Sequence, residues 1–307
     1  MRTLILFSFS VIVLFVVFFV VNYLINQKKY KQTDYYLQTK NSYLSVIFDK
    51  GRIGEFYIYK YLKSLDGYKK FLFNIYIPKS NEETTELDVV LLHESGLYVF
   101  ESKNYSGWIF GSEAQKEWTQ TLPTGNGRSQ KNHFLNPIIQ NKVHLKWLKN
   151  YLADNEGLAY YSYIIFSDRC TLKDIRLTSG EHFVINRYNI LPAVQANAAK
   201  VGKTLSPEQI DELYNKLYPL TQVNEAIKIA HIEDVKQKQQ SSNVSAVNVS
   251  PDITGKICPS CGSVLVLRTV SKGARQGQQF WGCSKYPHCR YTENVPCSVG
   301  VKDQNQA

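Results

Sequence analysis

The spacing of apolar positions changes several times along the chain, and each change marks an element. Leu4–Val21 is an apolar run of eighteen residues in which only Ser8 and Ser10 are polar. That is long enough to cross a bilayer as a helix. Phe71–Ile77, Leu87–Leu92 and Leu97–Lys103 are short segments rich in Val, Leu, Tyr and Phe that read as strands. The polar His93-Glu94-Ser95-Gly96 joins the last two into a hairpin. Helical stretches are expected from Gly51 to near Leu65, stopped by Asp66-Gly67, and from Asn136-Pro137 through PIIQNKVHLKWLKNYL, where Ile139, Val143 and Trp147 recur at intervals of four. Asn136 is the expected N-cap and Pro137 the first helical residue. Tyr161–Phe166 reads as a further strand, and Phe183–Ile185 as another. The order αβββαβ predicts an α/β domain, a mixed sheet with helices on its faces.

The flanks read differently. Tyr35–Phe48 fits either an amphipathic helix or a stalk. Ser206-Pro207-Glu208-Gln209 is a capping box that starts a helix to about Leu217, and Gln222–Lys238 fits a second. Lys236–Ser250 is polar and without periodicity, the composition of a linker.

Charge sharpens this division. The net charge of +10 is carried by two acid-free blocks. One is Arg2, Lys28, Lys29 and Lys31 around the apolar run. The other is Lys256, Arg268, Lys272, Arg275, Lys285 and Arg290 near the C-terminus. No small-x-small cleavage site follows the apolar run, so an uncleaved transmembrane anchor is expected rather than a signal peptide. Three lysines after the run against one arginine before it place the bulk of the chain in the cytoplasm. The second block points to a polyanionic partner. Of six cysteines, four cluster with metal-ligand spacing, which leaves no disulfide framework and agrees with a reducing compartment.

The hairpin carries the candidate chemistry. A turn centred between Glu94 and Ser95 pairs Leu92 with Leu97, Val90 with Val99 and Asp88 with Glu101, with Lys103 on the face of Glu101. Two opposed carboxylates repel, and a hard divalent cation such as Mg²⁺ relieves the repulsion. A lysine beside them can bind phosphate, orient water or stabilise developing charge. This is equipment for metal-assisted phosphodiester hydrolysis, although an isolated E-x-K is more often an ordinary salt bridge. His133 and His144 match no motif and are expected at the surface or facing a partner. Trp108, Trp118 and Trp147 are expected in the core.

Gly54-Glu55, Glu86-Leu87-Asp88, Gly96 to Gly107 (GLYVFESKNYSG), Trp118 and Asn136-Pro137-Ile138-Ile139-Gln140 occur in an order that resembles the NERD (nuclease-related) domain over about residues 48–165. That family is placed in the restriction-endonuclease-like, PD-(D/E)xK fold. The resemblance implies a catalytic core of Asp88, Glu101 and Lys103, with Glu55 as an additional acid and Gln140 approaching from the later helix. Magnesium would sit on Asp88 and Glu101. Ser102 stands where an aliphatic residue is usual, on the side facing away from the site.

The C-terminal block holds the most specific motif. Cys258 and Cys261 are separated by two residues, Cys261 and Cys283 by twenty-one, and Cys283 and Cys289 by five. Four thiolates so spaced suit a closed tetrahedral Zn²⁺ site, and so short a segment depends on the metal for its fold. CPSCGSVLVLRTV and FWGCSKYPHCRYT resemble the C4 zinc finger of bacterial type I DNA topoisomerases. The resemblance implies a ribbon that binds single-stranded DNA. Arg268, Lys272, Arg275, Lys285 and Arg290 would follow phosphates while Phe280, Trp281 and Tyr286 stack bases. A ribbon used for protein contact is the alternative. Cys170 and Cys297 are assigned no role.

Together these features predict a transmembrane anchor (1–27), a juxtamembrane stalk (28–47), a nuclease-like domain (48–200), a helical segment and linker (201–253), a zinc ribbon (254–294) and a tail (295–307). The expected protein is a single-pass protein of the bacterial cytoplasmic membrane, in contact with lipid and DNA. It is a magnesium-dependent nuclease with structural zinc, or else a non-catalytic DNA tether or membrane scaffold.

Overall fold

A computed structural model describes residues 2–79, 83–125, 127–153, 157–245, 258–270, 278–285 and 289–294. They form two compact units, divided between His231 and Ile232.

In the first unit, α1 (Arg2–Lys31) contains the apolar run and meets the length and composition needed to cross a membrane. Its Ile12–Val21 side chains point outward, with Leu14 68 % and Phe19 65 % exposed. The next residues, expected as a stalk with an amphipathic helix as the alternative over Tyr35–Phe48, fold as two short helices, α2 (Asp34–Thr39) and α3 (Tyr43–Phe48), capped by Thr33 and Ser42, and lead into α4 (Lys50–Leu62). Tyr30, Tyr35 and Val46 are buried against α4 and the sheet that follows. An apolar side chain that is fully buried contributes about 1.5–3 kcal/mol, so this stretch is integral to the domain.

The main sheet has the order β1-β2-β3-β7-β9: β1 (Lys69–Pro78), β2 (Thr84–His93), β3 (Gly96–Lys103), β7 (Tyr160–Phe166) and β9 (His182–Asn186). The first three strands are antiparallel, and β3, β7 and β9 run parallel, so the sheet is mixed as expected. One face packs Ile58, Tyr59 and Leu62 of α4 and Ile190 and Val194 of α6 (Ile190–Val201) against Phe71, Phe73, Val89, Leu91, Tyr98 and Phe100. The other packs Leu148 and Leu152 of α5 (Pro137–Leu152) and Ile210 and Leu217 of α7 (Pro207–Leu217) against Leu72, Ile75, Val90 and Val99. The α7 capping box on Ser206 and Gln209 forms as expected.

A second sheet, absent from the expected order, has the arrangement β6-β5-β4-β8: β4 (Gly107–Ser112), β5 (Glu117–Gly125), β6 (Arg128–Leu135) and β8 (Cys170–Arg176). Its inner face buries Ile109 and Trp118 with Ile138 and Phe166. Gly111 makes room for Trp118, because a Cβ there would lie 2.3 Å from the indole. Trp108 occupies the outer face and is 46 % exposed, which corrects its expected place in the core.

Helix α8 (Glu225–Ser245) runs on through Lys236–Ser245, a stretch expected to be linker, and 246–250 lie outside the described residues. The second unit contains a three-stranded antiparallel sheet, β10 (Leu265–Thr269), β11 (Gln279–Cys283) and β12 (Thr292–Asn294).

Candidate active site

The carboxylate site is assembled where regular alternation fails. In β1, Leu72 lies on the α5 side and Phe73 on the α4 side, yet Ile75 and Ile77 are both back on the α5 side. In β2 the same slip separates Leu87 from Val89 and Val90. The register runs Phe73↔Val89 and then Ile75↔Leu87, so Asn74 stands across from Asp88. Asn74 takes φ 50°, a left-handed backbone that asparagine tolerates better than most residues. Such irregularities re-aim side chains. On the other side, the β2–β3 ladder has Leu92↔Leu97 and Val90↔Val99 as expected and ends at Val89↔Phe100. Asp88 is therefore not held across the ladder from Glu101. Its Oδ2 accepts from the Ser102 backbone N–H at 2.8 Å.

Glu101 is buried, and both of its oxygens are engaged. Lys103 Nζ donates to Oε1 at 2.7 Å, and His144 Nε2 lies 3.1 Å from Oε2. Lys103 Nζ also donates to Gln140 Oε1 at 3.0 Å. The other nitrogen of His144 meets Thr85 Oγ1 at 2.7 Å, so Thr85 can donate to Nδ1 while Nε2–H donates to Glu101. Gln140 and His144 are one turn apart on α5. Asn136 anchors that helix: its Oδ1 caps Ile138 N, and its amide donates to Ser112, Glu113 and Gln115 carbonyls. Asn141 ties the same turn to Val99 O and Ser162 Oγ.

Glu55 enters from α4, drawn close by Gly54, where a Cβ would lie 2.3 Å from Ser102 Oγ. Tyr35 donates to Glu55 Oε2 at 2.9 Å, and Asn74 is a second partner. The electrostatics divide these acids. Burial pushes Glu55 up to about 7, against those hydrogen bonds. Burial, then the charges of Glu101 and Glu55, push Asp88 well above the ordinary aspartate range. Burial opposes charge on Glu101 too, but Lys103 and His144 outweigh it and hold Glu101 down at about 2. Burial likewise disfavours charge on Lys103, yet Glu101 and Asp88 raise it above the usual lysine range. Burial and mutual repulsion disfavour charge on Asp88 and Glu55 beside an ionised Glu101, an arrangement that an added cation would relax.

The structure thus brings together Glu55, Asp88, Glu101, Lys103 and Gln140. It also adds groups that the sequence reading missed. His144, expected at the surface or facing a partner, is 5 % exposed and bonded to Glu101. Its spacing of four from Gln140 was the available signal. Asn74, Tyr35 and Thr85 had none, because their roles depend on the slipped strands and on the folding of 28–47. His133 is exposed, as expected, and meets Thr119 Oγ1.

The zinc cluster lies in the second unit. Ligand sulfurs of Cys258, Cys261, Cys283 and Cys289 all lie within 4.8 Å of one another, with Cys258–Cys289 at 3.8 Å and Cys261–Cys283 at 3.4 Å. Tetrahedral Zn–S bonds of about 2.3 Å need sulfurs roughly 3.8 Å apart, so the four cysteines are positioned for zinc. Gly262, at φ 70°, closes the first knuckle with its N–H on Cys258 O. Lys285 and Arg290 are exposed, and Phe280 is half-buried. Trp281, expected to stack bases, is instead buried at 9 % among Cys258, Leu265, Cys283 and Cys289. A ribbon this small has few other large apolar groups for its core. Arg268 is half-buried and donates to Cys283 O. Lys272, Arg275 and Tyr286 lie outside the described residues.

Comparison with known proteins agrees with this division. Residues 50–167 match the family model of the nuclease-related domain, and 255–298 that of the topoisomerase DNA-binding C4 zinc finger. An uncharacterized protein of Bacillus anthracis is 29 % identical over 190 residues, covering 62 % of this chain and 85 % of the relative. DNA topoisomerase 1 of Mycoplasma pneumoniae is 36 % identical over 61 residues, and that of Methanocaldococcus jannaschii 48 % over 40. These last matches cover 20 % and 13 % of this chain but only 8 % and 5 % of the topoisomerases. No solved structure matches.

Proposed function

We propose that this chain is a membrane-anchored, magnesium-dependent nuclease that hydrolyses DNA phosphodiester bonds. On this reading the first unit has a restriction-endonuclease-like fold and the zinc ribbon binds single-stranded DNA. The observation that carries the proposal is the convergence of Asp88, Glu101, Lys103 and Gln140, joined by Glu55, at the end of β3. The donor set fits the metal: all three acids offer hard oxygen, and no thiolate or free imidazole competes for a softer ion. Asp88 and Glu101 would hold Mg²⁺, with Glu55 assisting. When bound, the ion supplies Lewis-acid polarisation of the phosphate and a more acidic water. Ser102 N–H fixes the Asp88 carboxylate. Gln140 and Glu101 hold the Lys103 ammonium where it can contact a phosphate oxygen or orient the attacking water. A ribbon on the same chain raises the local concentration of DNA without any new contact at the site.

The anchor reading rests on α1, with the following lysines favouring a cytoplasmic location for both units. Because Tyr30 packs into the domain, the protein is best tested whole, in detergent. Asp88→Ala should abolish cleavage of labelled oligonucleotides yet leave DNA affinity within about twofold, since the ribbon is untouched. Equal loss of both would sink that separation of roles. One observation favours a second reading. Glu101 is already a satisfied partner of Lys103 and His144, as it would be in a non-catalytic DNA tether that keeps the site as a buried ion pair. A folded, zinc-loaded protein that binds DNA but does not cut it would establish that reading.

A further inference from the structure

Beside the carboxylate site the first unit opens a cleft of about 470 Å³, lined in part by Lys50, Lys103, Asn104, Tyr105, Gln120 and Arg169. Its size falls within the roughly 300–1,000 Å³ typical of ligand sites. All the charged groups lining it are cations, and no acid joins them. Lys50 and Arg169 are exposed, and among the described residues neither is in an ion pair. Three cations facing one cleft, with no acid in its lining, point to an anion from outside.

The walls are built to hold these cations in place. Asn104 Nδ2 donates to Lys50 O at 2.7 Å, while Arg169 Nη2 donates to Asn104 Oδ1 at 3.0 Å and to its backbone O at 3.3 Å. One asparagine therefore braces both the start of α4 and the guanidinium of Arg169. Gln120 Nε2 fixes Ser106 O at 2.8 Å, and the Ser167 hydroxyl fixes Tyr105 O. Lys103 belongs to both places. Its Nζ is committed to Glu101 and Gln140, and the same residue forms one end of the cleft.

We infer that this cleft is the substrate subsite, in which Lys50 and Arg169 grip the phosphodiester backbone of a single nucleic-acid strand and lead it to Lys103 and the carboxylates. The inference rests on the nuclease reading for the identity of the strand's destination, but strand binding in the cleft is separately observable. Arg169 suits a phosphate because its fork can make two parallel hydrogen bonds, and Lys50 adds a point charge. Tyr105, half-buried in the cleft wall, offers a ring edge beside that path.

The test is photo-crosslinking of the full chain to a single-stranded DNA oligonucleotide carrying 5-iodouracil, in Ca²⁺, with the adducts mapped by mass spectrometry. An adduct on Tyr105 is expected. The charge reversal Lys50→Glu/Arg169→Glu should lower it about tenfold and flatten the salt dependence of the crosslink by about 1.4 in log–log slope, the value for two phosphates on a single strand. Lys50→Arg/Arg169→Lys should restore it. Both reversed positions are exposed, and a glutamate at the start of α4 suits the helix dipole. Circular dichroism on the same samples checks that the fold is kept. In Mg²⁺ the charge reversal should raise KM about tenfold with kcat within twofold. Adducts confined to the ribbon, or a Tyr105 adduct indifferent to the reversal, would overturn the cleft assignment even if cleavage occurs. A Tyr105 adduct that depends on Lys50 and Arg169, with no cleavage in Mg²⁺ or Mn²⁺, would uphold the cleft and remove the nuclease reading instead.

Discussion

The cysteine cluster draws its four ligands from 32 consecutive residues, Cys258 to Cys289, whereas the carboxylate site gathers Glu55, Asp88, Glu101, Gln140 and His144 across 90. The ribbon has a core of only a few apolar side chains around its sulfurs. The site in the first unit lies between two large cores, on both faces of a five-stranded sheet. The ribbon is expected to need its ion to fold, and its spacing can be read from local sequence because its four ligands lie within one short segment. The carboxylate site is held by the domain around it and contains repulsion that the domain tolerates. The two regions should respond in opposite ways when their charges are disturbed.

The largest contrast is expected on stripping zinc. With apparent binding energies of about 10–16 kcal/mol for structural zinc, a chelator should abolish amide-exchange protection in β10–β12 while β2, β3 and β7 keep theirs. Joint loss would mean that the first unit also depends on the ion. A smaller effect follows from His144→Ala, which leaves Glu101 Oε2 and Thr85 Oγ1 without a partner. The melt of the first unit should move down by about 1–3 kcal/mol, and His144→Gln should recover part of it. Asp88→Asn should go the other way. It removes a carboxylate that faces Glu101 and Glu55 while keeping an oxygen for Ser102 N–H. Stability should rise by up to about 1–2 kcal/mol, in the manner of other strained functional sites. A clear loss in denaturant titration would mean that the acids are not in conflict.

The smallest effect concerns pH. His93 is buried at the hairpin, where Nδ1 accepts from Ser95 N–H and Nε2–H donates to Asp66 O. Burial lowers its pKa below the usual 6.5. The unfolded chain therefore binds the proton more readily. The stability His93 contributes is present above pH 6.5 and fades as pH falls through its depressed value. Thermal midpoints of wild type and His93→Gln should converge as the pH drops below about 6. Parallel curves would exclude His93 as the cause.

What the sequence disclosed follows the same divide. Hairpin residues Leu87–Lys103 were legible because two short runs rich in Val, Leu, Tyr and Phe flank a polar turn ending in Gly96, and the Leu92↔Leu97 pairing holds. The α5 cap was legible from Asn136-Pro137, yet the buried face was not. Ile139 and Val143 are 36 % and 39 % exposed, while Ile138, Asn141, His144 and Leu148 face inward. Apolar periodicity misleads on a helix whose inner face carries polar site residues. The second sheet escaped notice because β6 is almost wholly polar and exposed. The slip at Asn74 and Asp88 had no local signature, as it exists only through pairing with neighbours. Tyr35 was missed for a related reason: its hydroxyl acquires meaning only once the 28–47 segment folds back onto α4.

The central claim is that Asp88, Glu101 and Lys103 form a cation-dependent hydrolytic site, and the most direct test is the cleavage rate of labelled single- and double-stranded DNA by the full, zinc-loaded chain as Mg²⁺ is titrated. The account predicts a rate that saturates with Mg²⁺ and falls by on the order of 10³-fold or more in Glu101→Gln, with DNA binding kept. Cleavage that is unchanged in Glu101→Gln, or none at any Mg²⁺ concentration by protein that still binds DNA, would contradict it.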